Sequence, residues 1–230
     1  VSDTNGWLLN YEKAKHLKKI GVDKIQLSLD GLSATQHDSF RRKEGSWKRV
    51  VDAIDACKKA DLHLIISTVV WKSRVKSQEL IDFLEFAKEK EVGVFITMAK
   101  PVGEYEGRFD ILLDRKDVEY IQELEKKYDV FTHLTPSYDV DVGCIAVKRM
   151  ISITRFGDVM PCPYIHVSLG NVFEEPLKDI IQRGLNNKWF TYENKYDECL
   201  CANNKFFIDN VVARTYNTNV PISYEKAFDE

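Results

Sequence analysis

No apolar run in the chain approaches the ~20 residues of a membrane span, and no signal-peptide pattern opens it. Charge of one sign is not in excess: 33 Lys and Arg stand against 36 Asp and Glu, mixed along the chain, for a net charge of −3. That balance gives no electrostatic footing for nucleic acid or an anionic membrane as a partner, and the cytoplasm is the expected location. Internal repeats and low-complexity segments are missing. So is a glycine-rich phosphate loop, since "GLNNKWF" (184–190) has no Walker lysine. Cysteine is scarce: five residues, at 57, 144, 162, 199 and 201, an odd and uneven set that excludes a small disulfide-stapled secreted domain. The five histidines, at 16, 37, 63, 133 and 166, show no ligand spacing.

What is present is a globular chain. At 44% hydrophobic and 30% charged it is too apolar for disorder, and 230 residues make one large or two modest domains. The first residue is Val1, and "VSDTNGWLL" reads as a strand end running into a turn. The chain is therefore expected to be a fragment whose upstream part is missing.

Over the first 100 residues strands alternate with helices. "YEKAKHLKKI" (11–20) is helix-like and stops at Gly21. "DKIQLSLDG" (23–31) alternates Ile25, Leu27 and Leu29 as a strand does, and ends in an Asp-Gly turn. Helices are predicted over 46–60 and 77–91, and buried strands over 62–70 and 92–100. This alternation argues for a parallel α/β sheet or barrel, whose site lies in the loops at the carboxyl ends of the strands. Here those ends are Thr4–Gly6, Ser28–Gly31, Thr68–Trp71 and Lys100–Gly103.

Beyond residue 106 the grammar changes, and a domain boundary is placed there. A helix at about 115–127 leads into an irregular stretch. A hairpin follows, with strands at 148–154 and 159–162, then a turn and helix in "LGNVFEEPLKDIIQRGL" (169–185). A Cys-x-Cys at 199–201 then opens a final helix. Trp189, Phe190 and Tyr192 are expected in the core of this second domain, and Cys57 in the apolar stripe of its own helix. Glu104, in "PVGEYEGR" (101–108), is a candidate polar contact at the substrate mouth or simply a solvated loop residue.

Cys144 and Cys162 bracket the hairpin, so its closure can bring them together. Cys199 and Cys201, if extended, point to one side roughly 6–7 Å apart, at about 3.3 Å rise per residue. Four thiolates from two segments make a complete Cys₄ shell, for a [4Fe–4S] cluster or for structural zinc. Pro161 and Pro163 fix φ on either side of Cys162. Four unrelated buried thiols remain the plain alternative.

"TNGWLL", "IQLSLDG", "HDSFRRKEGSW" and "ITRFGDVMPCPY…LGNVFEEPL" together resemble the radical SAM superfamily, in its branch with a C-terminal SPASM or twitch domain. The resemblance covers nearly the whole chain. It implies the C-terminal part of a partial (β/α)₆ TIM-like barrel over 1–106 (strands 3–6 of the family), followed by a small α+β SPASM-like or twitch domain with a β-hairpin over 107–230. It also implies S-adenosylmethionine (SAM) and an auxiliary [4Fe–4S] cluster as cofactors, a flavodoxin or ferredoxin as electron donor, and a peptide, protein or small-metabolite substrate. Twitch domains are the nearer comparison, because four distal cysteines suit one cluster. By position, Ser28, Asp30 and Arg41 fall where the family contacts SAM, with Thr4 and Asn5 lining the same mouth. A guanidinium suits the SAM carboxylate, and strand-end hydroxyl and carboxylate groups suit its ribose and amine.

The sequence also departs from the family. The Cys-x₃-Cys-x₂-Cys of the SAM-cleaving cluster belongs upstream of "TNG", with a second [4Fe–4S] cluster, and a Gly-Gly-Glu segment is likewise not found. The asparagine common after the fifth family strand is not evident in "VVWKSR" (69–74). As given, the chain is expected not to cleave SAM by itself, and no catalytic residue is assigned. The rival is a non-catalytic Cys₄ scaffold or peptide-binding module carrying zinc or a cluster.

Overall fold

A computed structural model describes residues 2–134, 143–193 and 198–228. The chain divides into two compact units, Val1–Met98 with Asp117–Thr132, and Ala99–Lys116 with His133–Glu230.

The first unit is built on a five-stranded parallel sheet in the order β1-β2-β3-β4-β5. Its strands are β1 (Ser2–Thr4), β2 (Lys24–Ser28), β3 (His63–Val70), β4 (Gly93–Met98) and β5 (Val130–Phe131). Helices α1 (Tyr11–Lys19), α2 (Ala34–Arg41), α3 (Ser46–Lys59), α4 (Gln78–Glu89) and α5 (Arg115–Glu125) form the connections. The β-branched run of β3 is nearly continuous because a central parallel strand is covered on both faces. Leu27, Ile66, Val70, Ile96, Ile54, Leu80 and Phe83 are wholly buried around it. Helix starts follow local chemistry: the side chains of Asn10, Ser33 and Ser77 accept from the amides of Lys13, Gln36 and Leu80 at 3.0–3.2 Å.

Every helix and strand predicted before residue 100 forms, within a few residues of the expected ends. β5 was not foreseen. Two residues are too short for a periodic signal, and the strand exists because Val130 and Phe131 pair with Val94 and Phe95. The Phe95 and Phe131 rings meet edge to face at 5.5 Å.

In the second unit the chain forms β6 (Ser152–Ile153), β7 (Val159–Met160), β8 (Val167–Ser168), α6 (Leu177–Leu185), α7 (Lys205–Asn210), β9 (Ile222–Ser223) and α8 (Tyr224–Phe228). β6 and β7 pair antiparallel, with Ser152 opposite Met160, across the "TRFGD" turn. The hairpin is shorter than the sequence suggests. Residues 148–150, expected as strand, belong to a loop instead, in which the Val147 amide donates to Met150 O at 2.8 Å. Phe190 and Trp189 are buried against Phe207, as an aromatic core requires, whereas Tyr192 is half exposed. Among the described residues, no helix is long and apolar enough to cross a membrane.

Replacing Leu27, wholly buried in the central sheet, with alanine removes its packing and leaves a cavity. The stability of L27A is expected to fall by about 2–5 kcal/mol in a denaturant titration; a loss below about 1 kcal/mol would contradict this placement of the core.

Candidate SAM-binding edge and candidate metal centre

The parallel register brings the carboxyl ends of β1 to β4 to one edge of the first unit. Thr4 pairs with Leu27, and Ser28 with Ser67. Thr4 and Asn5 shape the turn after β1: their side-chain oxygens accept from the amides of Gly6 (3.2 Å) and Trp7 (3.1 Å). Gly6 is required there, since it has φ +72° and a Cβ would stand 3.1 Å from the Leu27 side chain.

Asp30 is the hub of this edge. Its carboxylate is fully buried and takes Arg41 Nε at 2.6 Å and Nη2 at 2.5 Å on one oxygen, and the Val69 amide at 3.0 Å on the other. The Asp30 amide donates to Nδ1 of His37 at 3.0 Å. Asp30 therefore ties the β2 end to both α2 and β3, and holds a half-exposed Arg41 in one orientation. Burial lowers the His37 pKa against the opposing pull of Asp30, which keeps Nδ1 an acceptor. Gly31 completes the turn by close approach, because a Cβ there would lie 2.5 Å from Gln36 Cβ and 3.0 Å from the His37 amide.

The neighbouring residues of "HDSFRRKEGSW" have jobs that the sequence alone does not show. Asp38 accepts from the Gly45 and Trp47 amides at 2.7 Å and from Ser46 Oγ at 2.8 Å, which starts α3. Trp71 stacks on Phe40 at 5.8 Å. Arg74 is buried after β3, donating to Thr68 Oγ1 and Val69 O at 2.7 and 2.5 Å. Lys72 and Lys76 both reach the buried Asp117 carboxylate of α5, at 2.5 and 2.8 Å. No periodic signal marks these contacts, since each joins residues on different elements.

In the second unit Cys144, Cys162, Cys199 and Cys201 are all buried, free thiols. The loop after Cys144 is drawn to the β7 end by the Val147 amide, which donates to Pro161 O at 3.1 Å. This bond does what a longer hairpin was expected to do. The Cys-x-Cys is not extended, contrary to the sequence expectation: the Ala202 and Asn203 amides both donate to Cys199 O, at 3.0 and 2.9 Å, and wind it into a turn. The two sulfurs consequently meet at 3.5 Å. Nor does the Cys-x-Cys open a helix directly, because α7 begins at Lys205 behind the Asn204 cap.

The four sulfurs feel one another. Cys201 keeps its proton, its pKa raised well above the ordinary thiol value by sharing that proton with Cys162 and Cys199. Cys199 is correspondingly lowered well below it, first by the Cys201 hydrogen bond and further by His133 and Lys100. Cys162 is lowered by the same Cys201 contact. Burial, with Cys199 nearby, pushes the Cys144 thiol up to about 12. His133 stands beside Cys199, and its Nε2 is buried without a hydrogen-bond partner. Cys57 is separate: it is buried on α3 and raised to about 11 by burial alone, as a core thiol should be.

Donor number, donor chemistry and the orphaned His133 nitrogen fit a thiolate-bound metal group. Among the described residues, no group of three or more His, Cys, Asp or Glu side chains is placed to hold a metal ion as it stands. Sequence reasoning missed His133, Lys100 and Tyr164 around these thiols, since no spacing rule connects them to the cysteines.

Residues 1–87 match the sequence model of the radical SAM superfamily, and residues 144–203 that of SPASM, an iron-sulfur cluster-binding domain. The chain is 27% identical over 210 residues to the AdoMet-dependent heme synthase of Methanosarcina barkeri, covering 78% of this chain and 59% of that protein. It is 26% identical over 207 residues to the antilisterial bacteriocin subtilosin biosynthesis protein AlbA of Bacillus subtilis, covering 85% and 45%. The chain thus spans about half to three fifths of the length of these relatives. Among solved structures, Streptococcus suis SuiB bound to precursor peptide SuiA matches with a TM-score of 0.55 at 18% identity, over 78% of this chain and 47% of that one. This last likeness is one of fold.

Two predictions follow from the Asp30 hub. Asp30→Asn gives up the charged pairing with Arg41 and is expected to cost about 2 kcal/mol in chemical denaturation; an unchanged midpoint would contradict the hub. The lowered His37 pKa means that the unfolded chain binds this proton more tightly. Its stabilising contribution is therefore full above about pH 6.5 and is lost as pH falls towards the folded value. Between pH 7.5 and 5.5 the wild type should lose more unfolding free energy than His37→Gln, and parallel losses would contradict it.

Proposed function

We propose that the chain, whose residues 1–87 match the radical SAM superfamily model and 144–203 the SPASM model, is part of an enzyme that reductively cleaves SAM. The SAM so bound would supply a 5′-deoxyadenosyl radical, which takes a hydrogen atom from the substrate. Cys144, Cys162, Cys199 and Cys201 would hold an auxiliary [4Fe–4S] cluster, which accepts or relays electrons or braces the domain. What supports this reading is that four buried free thiols, each acting electrostatically on another, fall within the residues matched to the cluster-binding domain.

The chain's own residues then divide the labour. Arg41, oriented by Asp30, presents a guanidinium for the SAM carboxylate at the strand-end edge, and Ser28, Thr4 and Asn5 shape the rim around it. In the second unit, cluster loading replaces the protons shared among the thiols, so uptake is favoured as pH rises. Five free thiols suit the reducing cytoplasm, where an electron donor of the flavodoxin or ferredoxin class is at hand. For the substrate we favour a peptide, in view of the peptide-bound SuiB structure and the bacteriocin biosynthesis relative.

One observation favours a second reading. The 3.5 Å Cys199–Cys201 contact is near the ~3.8 Å sulfur separation of a tetrahedral zinc site with Zn–S of about 2.3 Å. Anaerobic reconstitution separates the two. Wild type is expected to take up about four irons per chain with a broad band near ~400 nm. Cys57→Ala should retain that iron, and Cys162→Ala should lose most of it. Equal losses in both variants would undo the ligand set, and a colourless chain with one zinc would replace the cluster by the scaffold reading.

A further inference from the structure

Lys100 follows the end of β4 and belongs to the second unit. It is 6% exposed, a rare state for lysine, whose ammonium loses its hydration on burial. Its Nζ lies 4.2 Å from the centroid of the Tyr164 ring, a cation–π contact two residues beyond Cys162. The Tyr164 amide in turn donates to the Cys162 sulfur. The aromatic ring thus seats the ammonium against the thiol cluster. Cys199, Cys201 and Cys162 all lie within electrostatic reach of this one ammonium. Lys148, also buried among the described residues of this unit, lies near Cys144 instead.

We propose that Lys100, seated on Tyr164, is the fixed counter-charge of the four-cysteine site, a positioning residue that raises the reduction potential of the cluster bound there. The inference rests on the cluster reading above. Four thiolates leave a bound iron–sulfur cluster negatively charged, and one-electron reduction adds another negative charge without breaking a bond. A buried cation stabilises the reduced form more than the oxidised form. Burial also protects it from the salt screening that would weaken a surface lysine. Hydrogen bonding, net charge and solvent exposure are the recognised levers on such potentials, and here the lever is charge.

The test is a potentiometric titration of the anaerobically reconstituted full chain, with dithionite as reductant and EPR detection of the reduced cluster. Iron content is measured on the same samples. Lys100→Met and Lys100→Gln should each bind iron as the wild type does. Each should make one-electron reduction at least tenfold less favourable, a downward shift of about 59 mV or more. Lys100→Arg, which keeps the charge, should stay within about a factor of two of wild type, and Lys148→Met should shift less than Lys100→Met. Loaded Lys100→Met and Lys100→Gln at the wild-type potential would overturn the inference alone. A shift in Lys100→Met but not in Lys100→Gln would also overturn it, because a polar contact and not the charge would then be responsible. Wild type that takes up no iron would remove the cluster reading itself, and the inference with it.

Discussion

Four buried thiols that act on one another constrain the second unit. Each thiol, taken from water, resists ionisation, and Cys144 shows the size of that resistance. Crowded together they relieve it in part by sharing a proton, with Cys201 as donor to Cys199 and Cys162. That arrangement is costly to keep unless a metal group replaces the protons. The surroundings are organised to the same end: the Val147–Pro161 bond closes one side, the 199–203 turn closes another, and Lys100 supplies positive charge. Buried cations beside buried acidic groups offset a desolvation cost that neither could bear alone.

The first unit uses the same economy with different chemistry. Asp30 is a carboxylate with no exposure, satisfied by a guanidinium and a backbone amide, with His37 accepting from its own amide. Removing any one partner leaves a buried polar group without compensation. The result is a strand end whose loops are fixed before any ligand arrives, and pre-arrangement lowers the entropy cost of binding. Asp30 thus works by holding Arg41, while Arg41 keeps the partly exposed face.

How much of this was legible in the sequence depended on whether the signal was local. Helices α3 and α4 declared themselves through apolar period, strand β3 through its continuous β-branched run, and the cysteines and the Asp-Gly turn through residue type. β5 was invisible because its two residues gain their conformation only by pairing with β4. The Cys-x-Cys was expected to be extended. Two amides converging on Cys199 O made it a turn, a choice between local backbone states that residue spacing does not encode. Asp30 and Arg41 could be named as site residues, yet their mutual pairing depends on how α2 packs against β2. Lys100 was legible only as part of a strand end, Lys100–Gly103; its burial against Tyr164 beside the cysteines depends on neighbours from elsewhere in the chain.

On the proposed reading, Cys144, Cys162, Cys199 and Cys201 hold one iron–sulfur cluster. X-ray absorption at the iron and zinc edges of the anaerobically reconstituted chain tests it most directly. The expected result is iron with sulfur neighbours and a second shell of nearby iron, the signature of a polynuclear cluster. A zinc edge with a single sulfur shell and no metal neighbour would contradict it.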